Sequence, residues 1–175
     1  VAYVWRDLEC PVYATPFAAT VLRNKLKETG LLDRVPIHVV AIGGSVDLAP
    51  FQITYVPVAH SILEAQSVAI RTNAGLIVHS GDWKLDDEPC IGPLTDEAAM
   101  RGLGKEGVLA LFGDSTNAMT EGHSGSEGAL RESLRSLIGE CEGRVAVTQF
   151  ASNAARIETV VMAAAENNRE VVVVG

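Results

Sequence analysis

The residue types that could do chemistry in this chain gather in two short stretches. His60 stands in Pro57-Val58-Ala59-His60-Ser61 and Asp82 in His79-Ser80-Gly81-Asp82, each after an apolar, strand-like run. An imidazole nitrogen and a carboxylate oxygen both suit zinc or manganese. A carboxylate at a strand end can bridge two divalent metals, one oxygen to each, and help hold the hydroxide that attacks a phosphodiester. Each residue also has a plainer reading. Aspartate after glycine commonly bonds its own backbone in a turn, and a lone histidine at a strand end is commonly hydrogen-bonded packing. His79 falls by strand alternation on the face opposite Ser80, where a structural hydrogen bond serves as well as chemistry.

A second group lies farther along. Asp114, in Gly113-Asp114-Ser115-Thr116-Asn117, either caps the turn after its strand or orients a general-acid histidine from outside the metal shell. Phe150, Ser152, Asn153 and Arg156 sit where Thr148-Gln149-Phe150-Ala151 gives way to a helix. An aromatic, a hydroxyl, an amide and an arginine there could stack a base and hold a phosphate at a helix N-terminus. The plainer account is an N-cap by Ser152 with Phe150 packed inside. The histidines form no HxxxH, HxH or HExxH pattern.

The elements that must position these groups follow from the apolar pattern. Residues 1–8 read as the end of a helix, followed by a strand at 11–14. A helix follows from Pro16 to Thr29, with Thr15 as N-cap, Pro16 in its first turn and Gly30 as stop. Strands are expected over 37–42, 46–48 and 52–58. Segments 68–72 and 76–79 read as a hairpin through Asn73-Ala74-Gly75, and the apolar segments that end at His60 and Asp82 read as neighbouring strands. A polar loop precedes a short helix over 96–103 and a buried strand over 108–112. From Ser126 the pattern alternates as helix to Cys141, strand 144–149, helix 153–166 and strand 170–174, the signature of a parallel α/β layer.

Composition sets the outer bounds. The chain has 175 residues, 47% hydrophobic and 21% charged, which fits a folded α/β protein rather than a disordered one. No apolar run approaches the roughly 20 residues of a membrane helix, so a soluble protein is expected. Cys10, Cys90 and Cys141 are odd in number and widely spaced, which argues against a disulfide framework or a thiolate zinc site and fits a reducing cytoplasm. A net charge of −8 argues against nucleic-acid binding by the whole surface, while leaving room for a local groove or bound cations. The start at Val1 within a helical pattern, and the stop at Gly175 after a strand-like run, read as an internal piece of a longer protein.

Taken together, VAHSI, IVHSGDWKLDDEP, GLGKEGVLALFGDSTNA, Ser126-Glu127, GRVAVTQFASNAARI and NREVVVVG resemble the bacterial ribonuclease J group of metallo-β-lactamase-fold nucleases with a β-CASP domain. The resemblance covers nearly the whole chain. It implies a partial αββα metallo-β-lactamase core over 1–125 and the start of a β-CASP parallel α/β domain over 126–175. It further implies a two-metal centre, zinc or manganese, that cleaves RNA internally and from the 5′ end. By motif, His60 corresponds to a histidine ligand of one metal and Asp82 to the carboxylate bridging both. Asp114 corresponds to the acidic residue that opens the β-CASP motifs, and TQFASNAAR to part of the wall facing the RNA channel. A homodimer is the family expectation.

The departures matter as much. The family's HxHxDH signature is absent from these residues, and a usual proline after His-Ser-Ile is replaced by Leu63. Since a catalytic zinc generally takes about three protein ligands, the metals would be incompletely liganded here and the piece alone inactive. Two other readings stay open. One is a non-catalytic RNA-binding or assembly subunit of the same fold; the other is a small-molecule metallo-hydrolase, which would lack the β-CASP start.

Overall fold

A computed structural model describes residues 1–174 and shows a mixed α/β protein. The elements are α1 (Trp5–Leu8), β1 (Val12–Ala14), α2 (Pro16–Glu28), β2 (Ile37–Val39), β3 (Ser45–Leu48), β4 (Phe51–Pro57), β5 (Gln66–Thr72), β6 (Gly75–His79), α3 (Glu97–Glu106), β7 (Val108–Phe112), α4 (Glu127–Glu140) and α5 (Ala154–Glu166). They form two compact units. The first comprises Val1–Pro57, Gln66–Gly81 and Glu97–Gly113; the second comprises Val58–Ala65, Asp82–Asp96 and the chain from Asp114 onward.

In the first unit β1 and β2 pair in parallel, while β3 to β7 form a five-stranded sheet in sequence order. The sheet is antiparallel except for β6 and β7, which run parallel and are joined through α3. Parallel neighbours need such a crossover, whereas β5 and β6 need only the two residues Asn73 and Ala74, as the hairpin pattern predicts. Leu103 of α3 is buried with Val56, Ala69, Leu76 and Val78 of the sheet, with Ala99 and Met100 packed beside them. Their spacing of three and four residues puts them on one helix face. A second cluster joins Ala2, Trp5, Leu26, Leu31 and Val35. The Trp5 indole N–H is satisfied by the Cys10 carbonyl at 2.7 Å.

In the second unit α4 and α5 pack together. Arg131 reaches across to Glu158 at 2.7 Å and to the buried Thr159 hydroxyl. Ser126 caps α4, its Oγ accepting from the N–H groups of Gly128 and Ala129.

Three expectations are corrected. The His60 and Asp82 strands are not neighbours, because β5 lies between β4 and β6. The two edges of β4 are taken by β3 and β5, which leaves none for β6. The strand β7 is not buried: Leu109 and Leu111 are 65% and 67% exposed. An apolar run states that a strand can be covered, not that a layer lies over it. Segments 144–149 and 170–174 are not strands among the described residues. Their β-rich composition is a preference that only a hydrogen-bonded neighbour turns into a ladder.

The turn that delivers Asp82 is strained against substitution. Gly81 has φ +61°, and a Cβ there would lie 3.0 Å from the Gln66 carbonyl oxygen. Gly81→Ala is expected to lower stability by about 1–2 kcal/mol from the left-handed backbone, and more if Gln66 cannot shift. Urea titration of the two proteins measures it.

Candidate metal and RNA site

His60, Asp82 and Asp114, the residues singled out for metal chemistry, all fall in the second unit. The chain leaves β4 at Pro57 and β6 at His79, and the segments that follow pair with each other through an isolated antiparallel bridge, Ala59 to Lys84. The Lys84 N–H donates to the Ala59 carbonyl at 2.9 Å. His60 thus directly follows one bridged residue and Asp82 lies two before the other, although their strands are not adjacent in the sheet.

The His60 ring is half-buried, and its Nδ1 is shut off from solvent with no hydrogen-bond partner. A buried ring nitrogen without a partner is costly in a purely structural histidine. Asp82 is exposed, and its carboxylate makes no hydrogen bond or ion pair among the described residues. The turn-aspartate alternative requires a bond to its own backbone, and none is present. His79 is accounted for structurally: its Nδ1 accepts from the Gly81 N–H at 3.0 Å, and its ring stacks on Phe112.

Asp114 does cap its own turn. One carboxylate oxygen accepts from the Thr116 N–H at 2.9 Å and from the Thr116 hydroxyl at 2.7 Å. These bonds hold its carboxyl below the usual aspartate range, and the nearby charge of His60 pushes in the same direction. His60 and Asp114 are therefore brought within electrostatic reach of each other across more than fifty residues of sequence.

Donors of this kind fit part of a metal shell. His60 offers a buried imidazole nitrogen with no other partner, and Asp82 an unengaged carboxylate. Among the described residues no group of three or more His, Cys, Asp and Glu side chains converges on a point that could hold a metal ion.

Around α5 the predicted nucleic-acid residues divide into two pairs. Phe150 is 83% exposed and Ser152 is exposed. Asn153, not Ser152, is the N-cap; it is buried, and its side-chain oxygen accepts from the Arg156 N–H at 2.9 Å. The Arg156 guanidinium reaches both Glu127 oxygens at 3.3 Å. Asn153→Ala is expected to lower stability by about 1 kcal/mol through the lost cap, while Phe150→Ala stays within about 0.5 kcal/mol. Thermal melts of the two variants distinguish them.

Sequence reasoning overlooked the residues that hold this unit together. Asp86, 6% exposed, sits 2.6 Å from the Lys84 ammonium and accepts from the Glu88 N–H at 2.9 Å and the Glu127 N–H at 3.1 Å. Glu127, also buried, links Lys84 to Arg156. Burial alone would raise the Asp86 carboxyl, but the Lys84 ammonium and the two backbone donors outweigh it, and the pKa lies below the usual range. In Lys84-Leu85-Asp86-Asp87-Glu88 the charges read as a solvated loop, and nothing local separates the buried aspartate from Asp87.

No helix is long and apolar enough to cross a membrane among the described residues. No protein-family model matches the chain. The fold is shared with a crystal structure of a protein of unknown function from Enterococcus faecalis, with a TM-score of 0.62, 16% identity, and 87% of this chain and 39% of that one covered. At that identity the likeness bears on fold alone. In sequence the chain is 46% identical to Ribonuclease J of Sinorhizobium meliloti over 98% of its own length and 30% of that protein's. It is 35% identical to Ribonuclease J of Synechocystis over 100% of this chain and 28% of that protein. With Ribonuclease J2 of Bacillus subtilis the identity is 33%, over 100% of this chain and 32% of that protein. The chain spans less than a third of the length of these curated relatives, and along essentially its whole length it belongs to the ribonuclease J family.

Proposed function

We propose that this chain is the part of a metal-dependent RNA phosphodiesterase that contributes His60 and Asp82 to the metal centre, the remaining ligands coming from outside these 175 residues. The observation that carries the proposal is the buried, partnerless Nδ1 of His60 in the same unit as the unengaged carboxylate of Asp82. The names of the similar proteins supply the substrate class, RNA. When bound, a divalent pair, zinc or manganese, supplies an activated hydroxide and neutralises charge on the phosphoryl oxygens. His60 would be a ligand in that centre through its imidazole, and Asp82 would be a ligand through its carboxylate. Asp114, already tied to its own turn, acts as the acid that orients a histidine.

In this reading residues 1–125 form part of a metallo-β-lactamase core, and residues 126–175 begin a β-CASP domain. Phe150 offers a face for base stacking, on the order of 1–3 kcal/mol per base. Ser152 offers a hydroxyl to the same strand. Asn153 and Arg156 serve RNA binding by holding the start of α5 in place. The protein is assigned to the cytoplasm as a homodimer.

A direct test is to incubate the full-length protein with a 5′-monophosphorylated RNA and manganese or zinc, with and without chelator. Metal-dependent loss of the RNA is expected. Tight RNA binding with no cleavage under any metal would instead favour a non-catalytic subunit of the same fold. Hydrolysis confined to small esters would favour a small-molecule hydrolase.

A further inference from the structure

The segments bearing His60 and Asp82 are joined by more than the single bridge bond. The Thr95 hydroxyl lies between them, accepting from the Ala59 N–H at 2.9 Å and donating to the Lys84 carbonyl at 2.8 Å. With the Lys84 N–H to Ala59 carbonyl bond, this closes a ring of three hydrogen bonds around one half-buried hydroxyl. Ala59 is 2% exposed, so water does not readily replace the threonine at its N–H. The ring fixes the residue just before His60 against the residue two after Asp82. Neither segment belongs to a regular strand at this point, so the sheet ladder does not supply that registration.

We propose that Thr95 is a positioning residue that sets the separation of His60 and Asp82 and so tunes the metal affinity of the site. The proposal rests on the assignment of those two residues as metal ligands. Both hydroxyl functions are needed, one as acceptor and one as donor. Serine keeps them. Valine, of nearly the same shape, keeps neither and strands a buried N–H and a carbonyl.

The test uses the full-length protein stripped of metal and titrated with Mn²⁺ alone, the free ion being followed by its electron paramagnetic resonance signal. Thr95→Val is expected to raise the Mn²⁺ Kd roughly 10- to 100-fold, the effect usual for groups that orient ligands. It should also lower kcat on a 5′-monophosphorylated RNA while leaving KM nearly unchanged. Thr95→Ser is expected to keep the Kd within about threefold of wild type, even where its lost methyl lowers thermal stability. A folded Thr95→Val protein with wild-type Kd overturns the proposal. So does a Thr95→Ser protein with a Kd raised tenfold, whether or not the valine variant folds. His60→Ala and Asp82→Asn serve as controls. If they too keep metal affinity and cleavage, the assignment of His60 and Asp82 as metal ligands fails; if they lose both while Thr95→Val does not, only the positioning role fails.

Discussion

Asp82→Asn in the full-length protein is expected to reduce RNA cleavage by roughly 10³-fold or more, with thermal stability close to wild type. The magnitude follows from losing a group that acts on the developing charge of the reaction. Preserved folding follows from the structure, since the Asp82 carboxylate is exposed and makes no hydrogen bond or ion pair among the described residues. Asparagine keeps the shape and removes the negative charge that the proposed metal ligation requires. His60→Ala is expected to match it in activity. Its Nδ1 has no partner to lose, so the stability cost is confined to the packing of a half-buried ring. Single-turnover cleavage, paired with metal content and a thermal melt, reads both variants. An Asp82→Asn protein with undiminished hydrolysis and unchanged metal content would falsify the assignment.

The largest stability effect is expected at a residue with no proposed part in chemistry. Asp86→Ala should destabilise the protein by about 3 kcal/mol, because removing one member of a buried ion pair leaves Lys84 only its longer 3.6 Å contact with Glu127. Lys84, whose side chain is only 18% exposed, loses its 2.6 Å partner, and the N–H groups of Glu127 and Glu88 lose their acceptor. The same carboxylate predicts a pH dependence. Its pKa in the folded protein lies below the ordinary aspartate value of 3.8. The stability it confers is therefore complete above that value and is lost as pH falls through the lower folded one. Urea midpoints of wild type and Asp86→Asn should differ at pH 7 and converge as pH falls below about 4. A difference that persists unchanged into acid, or none at neutral pH, would rule out the buried pair as its source.

Much of the local structure was legible because short-range chemistry fixes it. Pro16, at the start of α2, and Gly30, at φ +67° just past its end, bound that helix as their backbone preferences require. The hairpin through Asn73 and Ala74 and the helix ending at Glu166 were equally local. The site was legible only as separate residue types. His60, Asp82 and Asp114 could be picked out as candidates, but each carried a plain alternative that no neighbour in sequence could remove. The alternative holds for the turn at Asp114. It does not hold at His60, whose ring nitrogen stays unpartnered, or at Asp82, whose carboxylate makes no turn bond.

By itself, then, the sequence determined where the chain turns, which helices form, and that histidine and carboxylate follow two apolar strands. Tertiary structure decided what those residues face. It inserted β5 between the strands of His60 and Asp82, yet rejoined their continuations through Ala59, Lys84 and Thr95. It also buried Asp86 while leaving the adjacent Asp87 exposed. The physical reason is range. Turns and caps depend on groups a few residues apart, whereas desolvation and ion pairing depend on segments such as 82–88 and Glu127 that meet only when the chain has folded.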